Sequence, residues 1–292
     1  MSGAGADATR PLEDPPVGAA VDPVSATQEL GSTGAAVRHG VGPSAILRWL
    51  SAGLSDFLRA PGPSLVVGAL CALGGWLLVG AVLLTDYAVL ILPLAAGFMF
   101  AAPLLAIGLY EASRRHEAGE VVDFGVTRAA WRRNRGGIAF MGALLMMFLY
   151  GWLRVATMLY ALYFGLEHPP FGDLLASAFS PENLAFGLAG TAIGAVLAAI
   201  VFGLSAFSLP MLVDRQVDAV TAAATSMRAC CANPVTAALW AAAIVAITAV
   251  AAAPVFLGLV VALPIIGHAT WHAYRDVVVP DSPIAHAHGE VE

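Results

Sequence analysis

Two histidines, His268 and His272, stand four residues apart in an apolar run near the end of the chain. On a helix that spacing puts both imidazoles on one face, a geometry that suits a transition metal or a haem iron. Two ligands do not complete a metal site, and a third would have to come from another segment, with Glu111 and Asp214 the acids best placed to supply it. The competing reading gives both rings hydrogen bonds to neighbouring helices, beside an interfacial belt of Trp271 and Tyr274. No cofactor is expected on this basis, and haem or a transition metal is the alternative.

The remaining ionisable candidates are few. Glu111 is followed by Arg114 and Arg115 at the third and fourth positions, which predicts an ion pair within one helix; a proton or ion relay is the other use of such a group. Glu111, Asp214, Asp218 and His272 form a candidate polar cluster on one face of the molecule. Arg154 lies inside an apolar run, where a long side chain reaches for a headgroup or contacts a solute. Gly187, Gly190 and Gly194, at helical spacing, read as a close-packing face. Cys71, Cys230 and Cys231 have no metal or disulfide spacing. HExxH, GxSxG, GxGxxG and P-loop patterns are absent, so no catalytic residue is assigned.

The elements that must position these groups are apolar. Of 292 residues, 59% are hydrophobic and 12% charged, against roughly a quarter charged in soluble domains. So little charge cannot cover a water-facing surface, and nothing basic enough for nucleic acid is present. Residues 1–42, rich in Gly, Ala, Pro, Ser and Thr, read as a disordered tail, and 279–292 as a flexible one. Between them, 43–278 reads as an all-α, polytopic transmembrane helical bundle. It opens with an amphipathic helix over 44–59, with Ile46, Leu47, Trp49, Leu50, Leu54, Phe57 and Leu58 on one arc and Arg48, Ser51, Ser55, Asp56 and Arg59 on the other. Six spans follow at 64–84, 87–110, 137–163, 186–212, 235–252 and 254–271, near the length needed to cross about 30 Å of hydrocarbon. The last two divide one apolar block at Pro254.

The arginines orient the bundle. All fourteen basic residues are Arg, and outside the spans they fall before span one, after spans two and four, and after span six. The loops on the opposite side carry none. Positive residues mark the cytoplasmic side, which predicts six spans in a bacterial inner membrane with both termini in the cytoplasm. Spans two, four and six each carry a proline near the arginine side, Pro103, Pro210 and Pro264, with Glu111, Asp218 and His272 eight residues on. Short helices ending in breakers precede spans one, three and five. Three pseudo-repeated hairpins, each led by an interfacial helix, are therefore expected.

The same proline-marked segments carry a resemblance. Residues 101–111, with Pro103 and Glu111, are one such word; 208–221, with Pro210, Asp214, Arg215 and Asp218, are the second; 263–276, with Pro264, His268, Trp271, His272 and Asp276, are the third. Together they resemble the bacterial integral membrane family catalogued as domain of unknown function 2189, over about residues 44–278. The resemblance implies a multi-span inner-membrane protein with no established activity. Members are sometimes labelled as cytochrome c oxidase subunits, but a haem–copper catalytic subunit needs histidines in several spans, and here only His268 and His272 lie in one. The sequence reads best as a non-enzymatic membrane component or an assembly or scaffold partner of other membrane proteins, with the lipid bilayer as its surroundings. A small-solute transporter or channel is the alternative, and a haem- or metal-binding protein associated with a respiratory oxidase the second.

Overall fold

A short helix, a one-residue kink and a long helix recur three times along the chain. The computed structural model describes residues 35–84, 91–165 and 180–279. In chain order it contains β1 (Ala36–Val37), α1 (Ala45–Arg59), α2 (Pro61–Leu83), α3 (Ile91–Leu105), α4 (Ile107–Glu117), α5 (Val126–Arg133), α6 (Arg135–Phe164), α7 (Leu184–Ser205), α8 (Ser208–Asp214), α9 (Ala219–Ala232), α10 (Pro234–Ala252), α11 (Leu259–Val277) and β2 (Val278–Val279). Among the described residues, five stretches are long and apolar enough to cross a membrane: Pro61–Leu83, Pro93–Glu117, Arg135–Phe164, Leu184–Asp214 and Pro234–Ala252. Large side chains on these helices, such as Leu70, Leu77, Met158 and Leu188, are exposed outward. That arrangement suits lipid and would be costly in water. The protein is an all-α membrane bundle.

The three kinks share one backbone conformation. Ala60 between α1 and α2 has φ −136° and ψ 64°; Asn134 between α5 and α6 has −148° and 72°; Asn233 between α9 and α10 has −134° and 56°. Pro61 and Pro234 open their helices, where a missing N–H leaves no bond unmade. Asn134 instead caps α6 by accepting from Gly137 N at 3.0 Å. The two asparagines also brace the chain leading to the next short helix. Asn134 Nδ2 donates to Val217 O at 2.7 Å, ahead of α9. Asn233 Nδ2 donates to Arg38 O at 2.8 Å, and its Oδ1 accepts from Val41 N at 2.9 Å, ahead of α1.

Packing follows the same cyclic order. Among the contacts, α4 lies on α5, α8 on α9, and α11 on α1. Long helices meet similarly, α3 against α6 and α11 against α2. The third such pair, α7 and α10, is not closely packed, and a cavity opens between them that α2, α3, α6 and α11 also line. The densest core gathers at the arginine-bearing end, around Trp49, Met211, Leu212, Trp240, Trp271 and Tyr274. There Trp49 and Trp240 meet edge to face, ring centroids 5.7 Å apart.

Several boundaries differ from the sequence expectation. Residues 35–42, assigned to the N-terminal tail, are built into the fold: Ala36 and Val37 pair with Val279 and Val278, Ala35 and Val41 are buried, and Arg38 reaches Asp276 at 2.6 Å. Composition misjudged them because their partners lie 192 or more residues away. Val279, assigned to the C-terminal tail, is likewise half of that strand pair. Residues 1–34 and 280–292, the segments 85–90 and 166–179, and with them His286 and His288, lie outside the described residues. The block 235–271 does divide near Pro254, but 254–258 form a turn, held by Trp76 Nε1 donating to Val255 O at 2.6 Å. The helix after it starts at Leu259, runs on to Val277 and is not among the five apolar stretches. Its second half carries His268, His272, Arg275 and Asp276, which lowers its apolarity.

Candidate functional site

Helix α1 determines what the polar end looks like. Its sequence is amphipathic, but the face it buries is Ala45, Trp49, Gly53, Asp56 and Phe57, while Leu47, Leu54 and Leu58 point outward. The reason is Gly53: a Cβ there would sit 2.6 Å from Ala269 N and 2.7 Å from Ile265 O, so only glycine lets α1 lie backbone to backbone on α11. Asp56, assigned by its helical arc to the water-facing side, is carried into the interior as a result. It is 3% exposed.

Around Asp56 the helices α1, α2, α4 and α11 assemble a buried chain of polar groups. His272 Nε2 lies 2.8 Å from Asp56 Oδ2, His116 Nδ1 lies 3.3 Å from Oδ1, and Arg59 is 3.8 Å away. One turn before His272, His268 is fully buried. Its Nε2 stands 3.0 Å from Ser64 Oγ and its Nδ1 2.8 Å from Ser113 Oγ. Ser64 spends its own hydrogen on Ala60 O at 2.9 Å, so it receives Nε2–H from the ring. Ser113 is also within hydrogen-bonding reach of Asp56. Burial raises the proton affinity of the Asp56 carboxylate, but the hydrogen bond from His272, with Ser113 and the neighbouring imidazoles, outweighs it. The group sits below the ordinary carboxylate range.

A second cluster surrounds Glu111, which is 2% exposed at the centre of α4. Arg114 grips it with two nitrogens, Nε at 2.8 Å from Oε2 and Nη2 at 3.0 Å from Oε1, and Arg115 Nε adds a contact at 3.1 Å. The ion pair within one helix is thus present at both predicted spacings. Arg133 stands 3.7 Å from the same carboxylate and donates to Val213 O at 2.6 Å, which joins α5 to α8. Arg114 and Arg115 continue outward to Glu120 and Asp123.

The other predicted residues separate. Asp214, at the end of α8, accepts from Tyr274 Oη at 2.7 Å and lies 3.5 Å from Arg275, which reaches Glu117 at 3.1 Å. Glu111, Asp214 and His272 therefore belong to one polar layer, linked through arginines and through α4 and α11. Asp218 stands apart. It caps α9, accepting from Thr221 N at 2.9 Å and Thr221 Oγ1 at 2.6 Å, and these bonds lower its pKa. Arg154 is exposed on the outer surface of α6, with no hydrogen bond or ion pair among the described residues. Gly194 does serve close packing, its Cα facing the Trp152 ring. His268 and His272 share a helix face, yet each is engaged with a different partner set. Among the described residues no group of three or more His, Cys, Asp or Glu is arranged to hold a metal ion.

Asp56, His116, Ser64 and Ser113 were not legible as site residues in the sequence. The available signal was Gly53: a glycine inside a strongly amphipathic helix marks a close helix crossing, and Asp56 follows it by three residues on the same face.

No curated protein and no solved structure matches this chain. Residues 91–214, running from α3 to α8, match the family described as predicted integral membrane protein, domain of unknown function 2189.

Proposed function

We propose that the protein is a non-enzymatic, six-span component of a bacterial inner membrane, built from three repeated units, with its arginine-bearing face and both termini in the cytoplasm. Its role is that of an assembly or scaffold partner for other membrane proteins. The observation that carries this reading is the closure of the polar layer: the buried acids Asp56 and Glu111 are already held by the chain's own bases, and none of the described residues lining the cleft at membrane depth is Asp, Glu, Arg or His. A conduit for ions would need those groups inside the cleft. The apolar side chains Val121, Phe124 and Val220 are strongly exposed on the connections of the arginine side and supply contact surface for a partner outside the lipid. The shared kink geometry and the cyclic packing support the repeat.

Two measurements test this. Proteoliposomes containing the protein should pass protons and small ions no faster than protein-free vesicles, and a flux abolished by Glu111→Ala contradicts the scaffold reading. Cys231, exposed at the arginine end, should react with a membrane-impermeant maleimide in inverted vesicles and stay unreacted in intact spheroplasts. The opposite pattern reverses the orientation.

A further inference from the structure

Between α7 and α10 opens a cavity of about 1080 Å³ that α2, α3, α4, α6 and α11 also line, above the usual range for small-molecule pockets of about 300–1,000 Å³. On α7 its lining runs from Phe186 to Ser205, about 29 Å of helix, close to the hydrocarbon thickness of about 30 Å. Thr191, Ala198 and Ala199 on this wall are exposed, so the cleft opens sideways. An opening at that depth admits only molecules already dissolved in the bilayer.

Among the described residues the lining carries no charged group, which restricts the part inside the cleft to an uncharged, largely apolar body. Two polar groups on the α10 wall point to more than bare hydrocarbon. Trp240 is fully buried and Thr248 nearly so, both line the cleft, and neither Trp240 Nε1 nor Thr248 Oγ1 has a hydrogen-bond partner among the described residues. A donor left unmade at membrane depth is costly, and an ester carbonyl is an acceptor of the right kind. At the arginine end the lining closes with Cys230, Cys231 and Pro234. One turn before Cys231 stands Arg228, exposed, with the Thr225 hydroxyl at 3.2 Å as its only partner among the described residues. That guanidinium is free to pair with a phosphate.

We propose that this cavity holds one phospholipid of the arginine-side leaflet, its acyl chains entering between α7 and α10 and its phosphate at Arg228. The site is independent of the scaffold reading and goes beyond it. A bound lipid would complete the wall that the third helix junction leaves open, so the closed ring is made partly of protein and partly of lipid.

The test uses the full chain reconstituted into vesicles of phosphatidylethanolamine and phosphatidylglycerol, extracted in mild detergent and weighed by native mass spectrometry. The wild type should retain lipid in stoichiometric amount and favour phosphatidylglycerol. Ala198→Trp and, separately, Ala241→Phe, both filling the cleft, should lose it, while Leu188→Trp on the outward face of α7 should keep it. Arg228→Gln should still retain lipid but lose the preference for phosphatidylglycerol by about tenfold, the size of one charge-assisted contact. Trp240→Phe, which keeps a ring against Trp49, should lower retention. Equal retention in the wild type and in a folded cleft-filling variant overturns the proposal. So does a dimer that Ala198→Trp dissociates, because the occupant is then a second copy of the chain.

Discussion

At the scale of single residues, Asp56 is the group that ties α1 to the polar end of α11. Its carboxylate is held below the usual range by His272 despite its burial, so it contributes stability above the ordinary aspartate value of about 3.9. That contribution is lost as pH falls through the lower, folded value. Thermal unfolding in detergent should therefore show no Asp56 effect of pH near neutrality and a decline in acid, and Asp56→Asn should lack that part of the decline. At neutral pH the same variant should cost about 1–3 kcal/mol, since the amide cannot replace the charged acceptor of His272; an unchanged melting temperature would argue against a structural role. His268 and His272 were legible as a pair because helical spacing alone puts them on one face. Asp56 was not, because a helical wheel reports the pattern of one helix, whereas its burial depends on a second helix coming within backbone contact of Gly53.

At the scale of elements, the helices are readable because lipid demands long apolar runs, and the breakers Pro61, Asn134, Asn233 and Pro254 punctuate them. What did not follow was the last helix, which starts five residues late and leads with its polar half into the core at the arginine end. Its partners Trp49, Ser64 and Ser113 come from three other helices, and composition does not record such distant pairing. The α1–α11 crossing should be the element contact most sensitive to bulk. Gly53→Val would push its side chain into the α11 backbone, and overpacking there should cost about 1–3 kcal/mol or more, measurable as a drop in melting temperature and as faster proteolysis ahead of α1. Asp218→Ala removes only a cap and should cost about 1 kcal/mol, without disturbing the polar layer. If the two variants behave alike, the crossing has no special weight.

For the whole molecule, the three-unit reading explains three features together: the matched kinks, the asparagines that each hold the lead-in of the following unit, and the return segments that pack forward in a cycle. The prolines and short helices pointed to the proposed repeat, but the sequence did not distinguish a closed ring from one with a gap, because the α7 and α10 faces are lined with small apolar residues whether or not they touch. Disulfide trapping in membranes tests this most directly, with the three native cysteines replaced by serine. Gly97→Cys with Leu149→Cys crosses the packed α3–α6 junction, and Ala198→Cys with Ala241→Cys crosses the α7–α10 cleft. The account predicts rapid oxidation of the first pair and none of the second unless a long bifunctional thiol reagent spans the gap; equally rapid direct disulfide formation by both pairs would contradict it.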